Sequence, residues 1–200
     1  MKYFFSVKEA RTVEIKIKRS TFIAHLAYVE DIKAAKEFIT KIADQHKTAN
    51  HNCWAYIVGE KGETFHSSDA GEPSGTAGQP MLNMLKKHEM TSISCVVTRY
   101  FGGVKLGIRG LIEAYGESVE AAIADKKLLK LVKLKDYQIE TDYSFAETFK
   151  YQIGQMQAEV VKAEYSEIVK MFLQIEEHFS EDLGEYLQEL SAAGKIKLLS

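Results

Sequence analysis

Two glycine-rich stretches decide how this chain reads: Ser68-Asp69-Ala70-Gly71-Glu72-Pro73-Ser74-Gly75-Thr76-Ala77-Gly78-Gln79-Pro80 and Arg99-Tyr100-Phe101-Gly102-Gly103-Val104-Lys105-Leu106-Gly107-Ile108-Arg109-Gly110. Each runs into a segment with helical spacing of apolar residues: Met81, Leu82 and Leu85 after the first, Leu111, Ile112, Tyr115 and Val119 after the second. The repeated design is a loop that opens a helix. A helix N-terminus leaves its first N–H groups unpaired and carries a partial positive charge. Two such ends close together make a natural anion site. The expectation is therefore spatial, that both loops converge on one receptive surface.

Outward from the loops, the flanking segments alternate like strands. Val13, Ile15 and Ile17 alternate with Glu14, Lys16 and Lys18, and Thr21–Val29, His51–Val58, Thr64–His66 and Ile93–Tyr100 complete a strand-rich first half. Asp31 is placed to cap a helix whose apolar face holds Ala35, Phe38, Ile39 and Ile42. Past a basic-apolar connector over Lys126–Leu134, whose end admits a last short strand, the rhythm changes. A strand at Tyr137–Thr141, a helix from Ser144, strands at Val160–Tyr165 and Ile168–Ile175, a helix from Ser180 and a strand at Lys195–Leu199 give the order β-α-β-β-α-β of the ferredoxin-like motif. The expected fold is α+β in two domains, 1–134 and 135–200.

Composition narrows the function. The 200 residues carry a net charge of −2, 46% apolar and 27% charged side chains, so no global attraction to nucleic acid exists and a polyanion site must come from local clustering. Tyr3-Phe4-Phe5 is too short for a secretion signal, and no segment approaches a membrane span. Cys53 and Cys95 lie in apolar runs without CxxC spacing and read as reduced core thiols of a cytoplasmic protein. His46 and His51 lack metal-ligand spacing, so neither a metal nor a cofactor is expected.

Within the loops, Ser74, Thr76, Arg99, Tyr100, Lys105 and Arg109 are the candidate anion contacts, with His51 and Glu72 as candidate binding or acid/base groups. Arg99 admits two readings. It holds a phosphate or carboxylate beside the stacking faces of Tyr100 or Phe101, or it pairs internally with Asp69 or Glu72. Asp69 and Glu72 suit a loop-anchoring role. Pro73 and Pro80, the only prolines, fix the loop entry and the helix start. No Walker loop or dinucleotide fingerprint is present, and Gly107-Ile108-Arg109-Gly110 matches only the short GXXG clamp of KH domains.

His51-Asn52-Cys53-Trp54-Ala55-Tyr56, Asp69-Ala70-Gly71-Glu72-Pro73-Ser74-Gly75-Thr76-Ala77-Gly78 and Val97-Thr98-Arg99-Tyr100-Phe101-Gly102-Gly103-Val104-Lys105-Leu106-Gly107 together resemble the IMPACT/YigZ family of translation-associated proteins. The resemblance is close over the first half and extends to the tail in pattern only. Family members tend to carry a second acidic residue where Ala70 stands and small residues where Ile108-Arg109 stand. It implies a two-layer, ribosomal-protein-like first domain similar to domain IV of elongation factor G, and a second domain similar to that factor's ferredoxin-like fifth. It further implies a non-enzymatic protein that binds the ribosome or structured RNA. Eukaryotic relatives act in starvation control of translation through protein partners, using a domain absent here. Two alternatives stay open: an enzyme acting on a small phosphorylated or carboxylated substrate at His51, Glu72 and Arg99, and a protein-interaction regulator of translation.

Overall fold

The computed structural model describes residues 4–199, which leaves Tyr3 of the apolar N-terminal run outside. The chain forms two compact units, one ending at Leu131 and the other beginning at Val132. The expected boundary at 134/135 falls just inside a strand that starts at Leu134.

The first unit is built on a five-stranded antiparallel sheet. Its strands are β2 (Arg11–Ile17), β3 (Ser20–Tyr28), β4 (His51–Val58), β5 (Thr64–Ser68) and β6 (Ile93–Tyr100), in the order β2-β3-β6-β4-β5. Side chains alternate across a strand, and β4 is apolar on both sides. Cys53, Ala55 and Ile57 join a core with α2 (Gly78–Lys87) and α3 (Gly107–Ala124). Tyr56 and Val58 join a second core with α1 (Ile32–Gln45). Helices therefore cover both faces, and this unit has three layers rather than the two expected. The reason lies in α1, whose apolar stripe must also be buried against sheet. Asp31 caps that helix as its spacing predicts, accepting from the Ala34 N–H at 2.7 Å.

Buried Arg11 closes the far end of α3 by donating to the carbonyls of Ala122, Ile123 and Lys127. The basic connector holds the short strand its sequence allows, β7 (Leu129–Leu131), and this pairs antiparallel with β1 (Phe4–Ser6), a strand with no signal in the sequence.

In the second unit, β8 (Leu134–Thr141), α4 (Tyr143–Gln155), β9 (Glu159–Tyr165), β10 (Val169–Glu176), α5 (Ser180–Ala192) and β11 (Ile196–Leu198) form an antiparallel sheet in the order β11-β8-β10-β9. β10 buries every second side chain, and Met171 and Leu173 pack with Phe149 and Ile153 of α4 and with Leu183 and Leu187 of α5. Among the described residues, no helix is long and apolar enough to cross a membrane.

Candidate functional site

The two glycine-rich loops meet. Glu72 and Pro73 of the first, and Phe101 and Lys105 to Ile108 of the second, line one cleft of about 390 Å³ together with Asn50, His51, Arg99 and Leu111. Its floor is set by the first residue of β4, the end of β6 and the first turn of α3. His51 and Arg99 face one another across the β4–β6 ladder, which puts both side chains on the α3 side of the sheet.

Glu72 is the centre of this floor. Its Oε1 accepts from the Arg99 guanidinium at 2.6 Å and from the Tyr115 hydroxyl at 2.9 Å, while His51 Nε2 stands 4.0 Å away. The pair is deep, with side-chain exposures of 7% for Arg99 and 3% for Glu72. Of the two readings open for Arg99, the internal ion pair is the one formed, and the partner is Glu72 rather than Asp69. His51 Nδ1 lies 3.0 Å from the carbonyl of Ala70, so it carries the proton and donates, which turns Nε2 toward Glu72.

Asp69 anchors the first loop. Its carboxylate accepts from the N–H groups of Gly75, Ala77 and Gly78 at 2.8–2.9 Å. Burial raises its carboxyl, but the three amide bonds together outweigh that and hold it below the usual range. This arrangement corrects the anion-site expectation at one end: the N-terminus of α2 is already occupied by the protein's own carboxylate. Nothing comparable sits at α3, which has no side-chain cap and no acidic residue in its first turn.

The other anticipated residues separate. Lys105 lines the cleft. Thr76 does not, being buried with its hydroxyl donating to the Pro73 carbonyl at 2.6 Å. Ser74 is exposed away from the lining. Arg109 is 93% exposed and pairs along its own helix with Glu113. Tyr100 points to the α1 face, where its hydroxyl meets His46 Nδ1 at 3.0 Å. Strand alternation dictates this, because Arg99 and Tyr100 cannot share a face. The aromatic wall beside Arg99 is instead Phe101, with the guanidinium carbon 5.4 Å from its ring centre.

Tyr115 and Asn50 were not anticipated. Tyr115 fits the helical apolar period, and its signal was chemical: a buried tyrosine needs a partner for its hydroxyl. Asn50 Oδ1 accepts from the Phe101 N–H at 2.8 Å and fixes the start of the second loop. Cys53 lies beneath, with its thiol donating to the Asp69 carbonyl at 2.8 Å; burial pushes it up to about 12, which suits packing and not nucleophilic chemistry. Among the described residues, no group of three or more His, Cys, Asp or Glu side chains is placed to hold a metal ion.

A third loop joins these two. The hairpin between β2 and β3 brings Lys18 and Arg19 against the second glycine loop: Gly102 N–H donates to Ser20 Oγ at 3.2 Å, and a Cβ on Gly102 would overlap the Arg19 carbonyl. Lys18, Arg19 and Lys105 are all exposed.

Comparison with known proteins gives the family of the chain. The Impact N-terminal domain matches residues 18–123, which include both loops and the hairpin tip. The chain is 40% identical over 193 residues to the IMPACT family member YvyE of Bacillus subtilis, covering 94% of this chain and 87% of that protein. It is 34% identical over 160 residues to YigZ of Escherichia coli, covering 79% and 78%. A crystal structure of a hypothetical protein aligns with a TM-score of 0.62 at 29% identity, covering 100% of this chain and 98% of that one. A domain match across half of the chain and a relative this similar along almost all of it make the protein a member of the IMPACT family.

Proposed function

We propose that this protein is a translation-associated binding protein that docks on the ribosome or on structured RNA through the cationic rim of its second glycine loop. The observation that supports this reading is the contact of that loop with the β2–β3 hairpin at Gly102, which sets exposed Lys18 and Arg19 beside the loop that carries exposed Lys105, in a chain of net charge −2. Local clustering is what an otherwise acidic protein needs to attract phosphate. Arg99 is not part of this rim, because Glu72 holds it. A protein partner in translation control is compatible with the same surface, and the cytoplasm is the compartment this role requires.

The fold reading belongs to the same proposal. The β-α-β-β-α-β order of the second unit supports a ferredoxin-like domain. Likeness of the two units to domains IV and V of elongation factor G follows from the family resemblance.

Ribosome co-sedimentation across a salt series tests the proposal. With each phosphate contact contributing a slope of about −0.7 to −0.9 to log K against log salt, binding falls steeply with salt. The folded triple variant Lys18→Glu, Arg19→Glu, Lys105→Glu stops pelleting. Undiminished pelleting of that variant would refute RNA contact by this rim, and pelleting that resists salt but not protease would favour a protein partner.

A second reading, an enzyme acting on a small phosphorylated or carboxylated substrate, is favoured by one observation: His51, Glu72 and Arg99 share a single cleft. On that reading His51 Nε2 moves the proton. His51→Gln then abolishes turnover and leaves binding of the same substrate intact.

A further inference from the structure

The two buried arginines of the first unit are satisfied very differently. Arg11 donates to three backbone carbonyls. Arg99, 5% exposed, makes one hydrogen bond, from Nη1 to Glu72, and its buried Nε has no partner among the described residues. The guanidinium edge carrying Nε and Nη2 is therefore left without a protein acceptor. An unpaired buried donor costs about 1–3 kcal/mol, and more when charged, so an acceptor placed there gains that free energy back. Arg99 lines the 390 Å³ cleft, and so does the first turn of α3, whose N-terminus is uncapped.

We infer that this cleft is a binding site for a carboxylate with an apolar body, its carboxylate held between the free edge of Arg99, Lys105 and the N-terminus of α3. The charge count selects a monoanion. Glu72 and Arg99 cancel, which leaves Lys105 and the partial charge of one helix end; a phosphate dianion beside Glu72 lacks the cations it needs. The planar fork of Arg99 matches a planar carboxylate. The remainder of the wall, Pro73, Phe101, Leu106, Ile108 and Leu111, is apolar and matches an aliphatic or aromatic tail. The volume suits a molecule of fragment size, at the small end of ligand pockets. This inference rests on the convergence of the two glycine loops and not on RNA contact; because Lys105 serves both sites, the variant Lys18→Glu, Arg19→Glu, which leaves every residue of the cleft lining in place, separates them by weakening ribosome binding without weakening the acids.

The test is titration of the full chain, followed by backbone amide and Arg99 Nε–H NMR signals, with phenylacetate, benzoate and 4-methylpentanoate, each against its own primary amide, and with inorganic phosphate. The acids are expected to move the signals of Gly102 to Leu111 and of Arg99 Nε–H, and to bind about tenfold or more tighter than the amides. Arg99→Lys, which keeps the charge beside Glu72 but loses the fork, weakens the acids by about tenfold. Ile108→Asp, at a position 67% exposed and in the first turn of α3 where a carboxylate suits the helix dipole, also weakens them about tenfold without lowering Tm. Peptides ending in Phe or Leu, with free or amidated C-termini, separate the two sources. A free-ended peptide that outbinds the small acids identifies a chain terminus as the ligand, and the reverse identifies a free organic acid. The inference is overturned if acid and amide bind alike, if phosphate displaces the acids, or if no acid moves these signals up to its solubility limit.

Discussion

Removing one member of the Arg99–Glu72 pair leaves the other charged inside the protein, and that asymmetry fixes what substitutions do there. Arg99→Met or Glu72→Gln is expected to destabilise the first unit by about 3–5 kcal/mol, and the double variant by much less than the sum. Urea denaturation of the four proteins measures the coupling; strictly additive losses would show that the pair is not an energetic unit. His25 supplies the pH dependence. Burial, then the nearby His46 ring, lowers its proton affinity from the usual 6.5 to about 4, and its Nε2 has no partner. Above pH 7 the ring is neutral in both folded and unfolded chains and contributes nothing. As pH falls through 6.5 the unfolded chain takes up a proton that the fold excludes, and stability declines until about pH 4. The loss over that interval is about 2–3 kcal/mol from this residue. Denaturation at pH 7 and pH 5 should show a smaller decline in His25→Gln than in the parent, and an equal decline would remove His25 as the cause.

At the scale of the element, the second glycine loop carries two glycines with opposite constraints. A Cβ at Gly102 would overlap the Arg19 carbonyl, whereas Gly103 has φ +84 and open space around it. Gly102→Ala must push the β2–β3 hairpin away and is expected to cost about 2 kcal/mol or more. Gly103→Ala pays only backbone strain of about 1 kcal/mol. The ranking, read from thermal unfolding, checks the hairpin contact directly, and equal costs would contradict it. The convergence of the loops on one cleft was legible because glycines beside hydroxyls and charges exceed what turns require. Their chemistry was less legible, since spacing cannot say which carboxylate a buried arginine takes. Asp69 and Glu72 lie three residues apart and went to different tasks, one to the amides of α2 and the other to Arg99. Tyr100 was misplaced for a reason the sequence does contain: strand parity sets it on the His46 side.

For the whole molecule, the strands and helices follow from alternation and helical period almost throughout, because most of them bury one face against sheet or helix. The β1–β7 pair escapes such reading. Three residues at each end of a unit carry no periodic signal, and their pairing is a long-range contact. That ribbon is further tied to the sheet end, where the Thr91 N–H donates to the Phe5 carbonyl at 2.9 Å and the Phe5 N–H to Glu89 at 3.0 Å. Two truncations separate these ties. A fragment ending at Leu131 keeps β7 and is expected to fold with the full core of the first unit. One ending at Leu128 loses β7 but keeps the hold of Glu89 and Thr91 on Phe5. Loss of the three-residue pair removes a few net hydrogen bonds, about 2 kcal/mol, so the shorter fragment should remain folded by circular dichroism and melt several degrees lower. The complementary fragment from Val132 has its own core around Phe149, Met171 and Leu187 and is expected to melt cooperatively by itself. Identical melting of the two first-unit fragments would mean that β7 contributes nothing and that residues 89–91 alone secure the N-terminal strand.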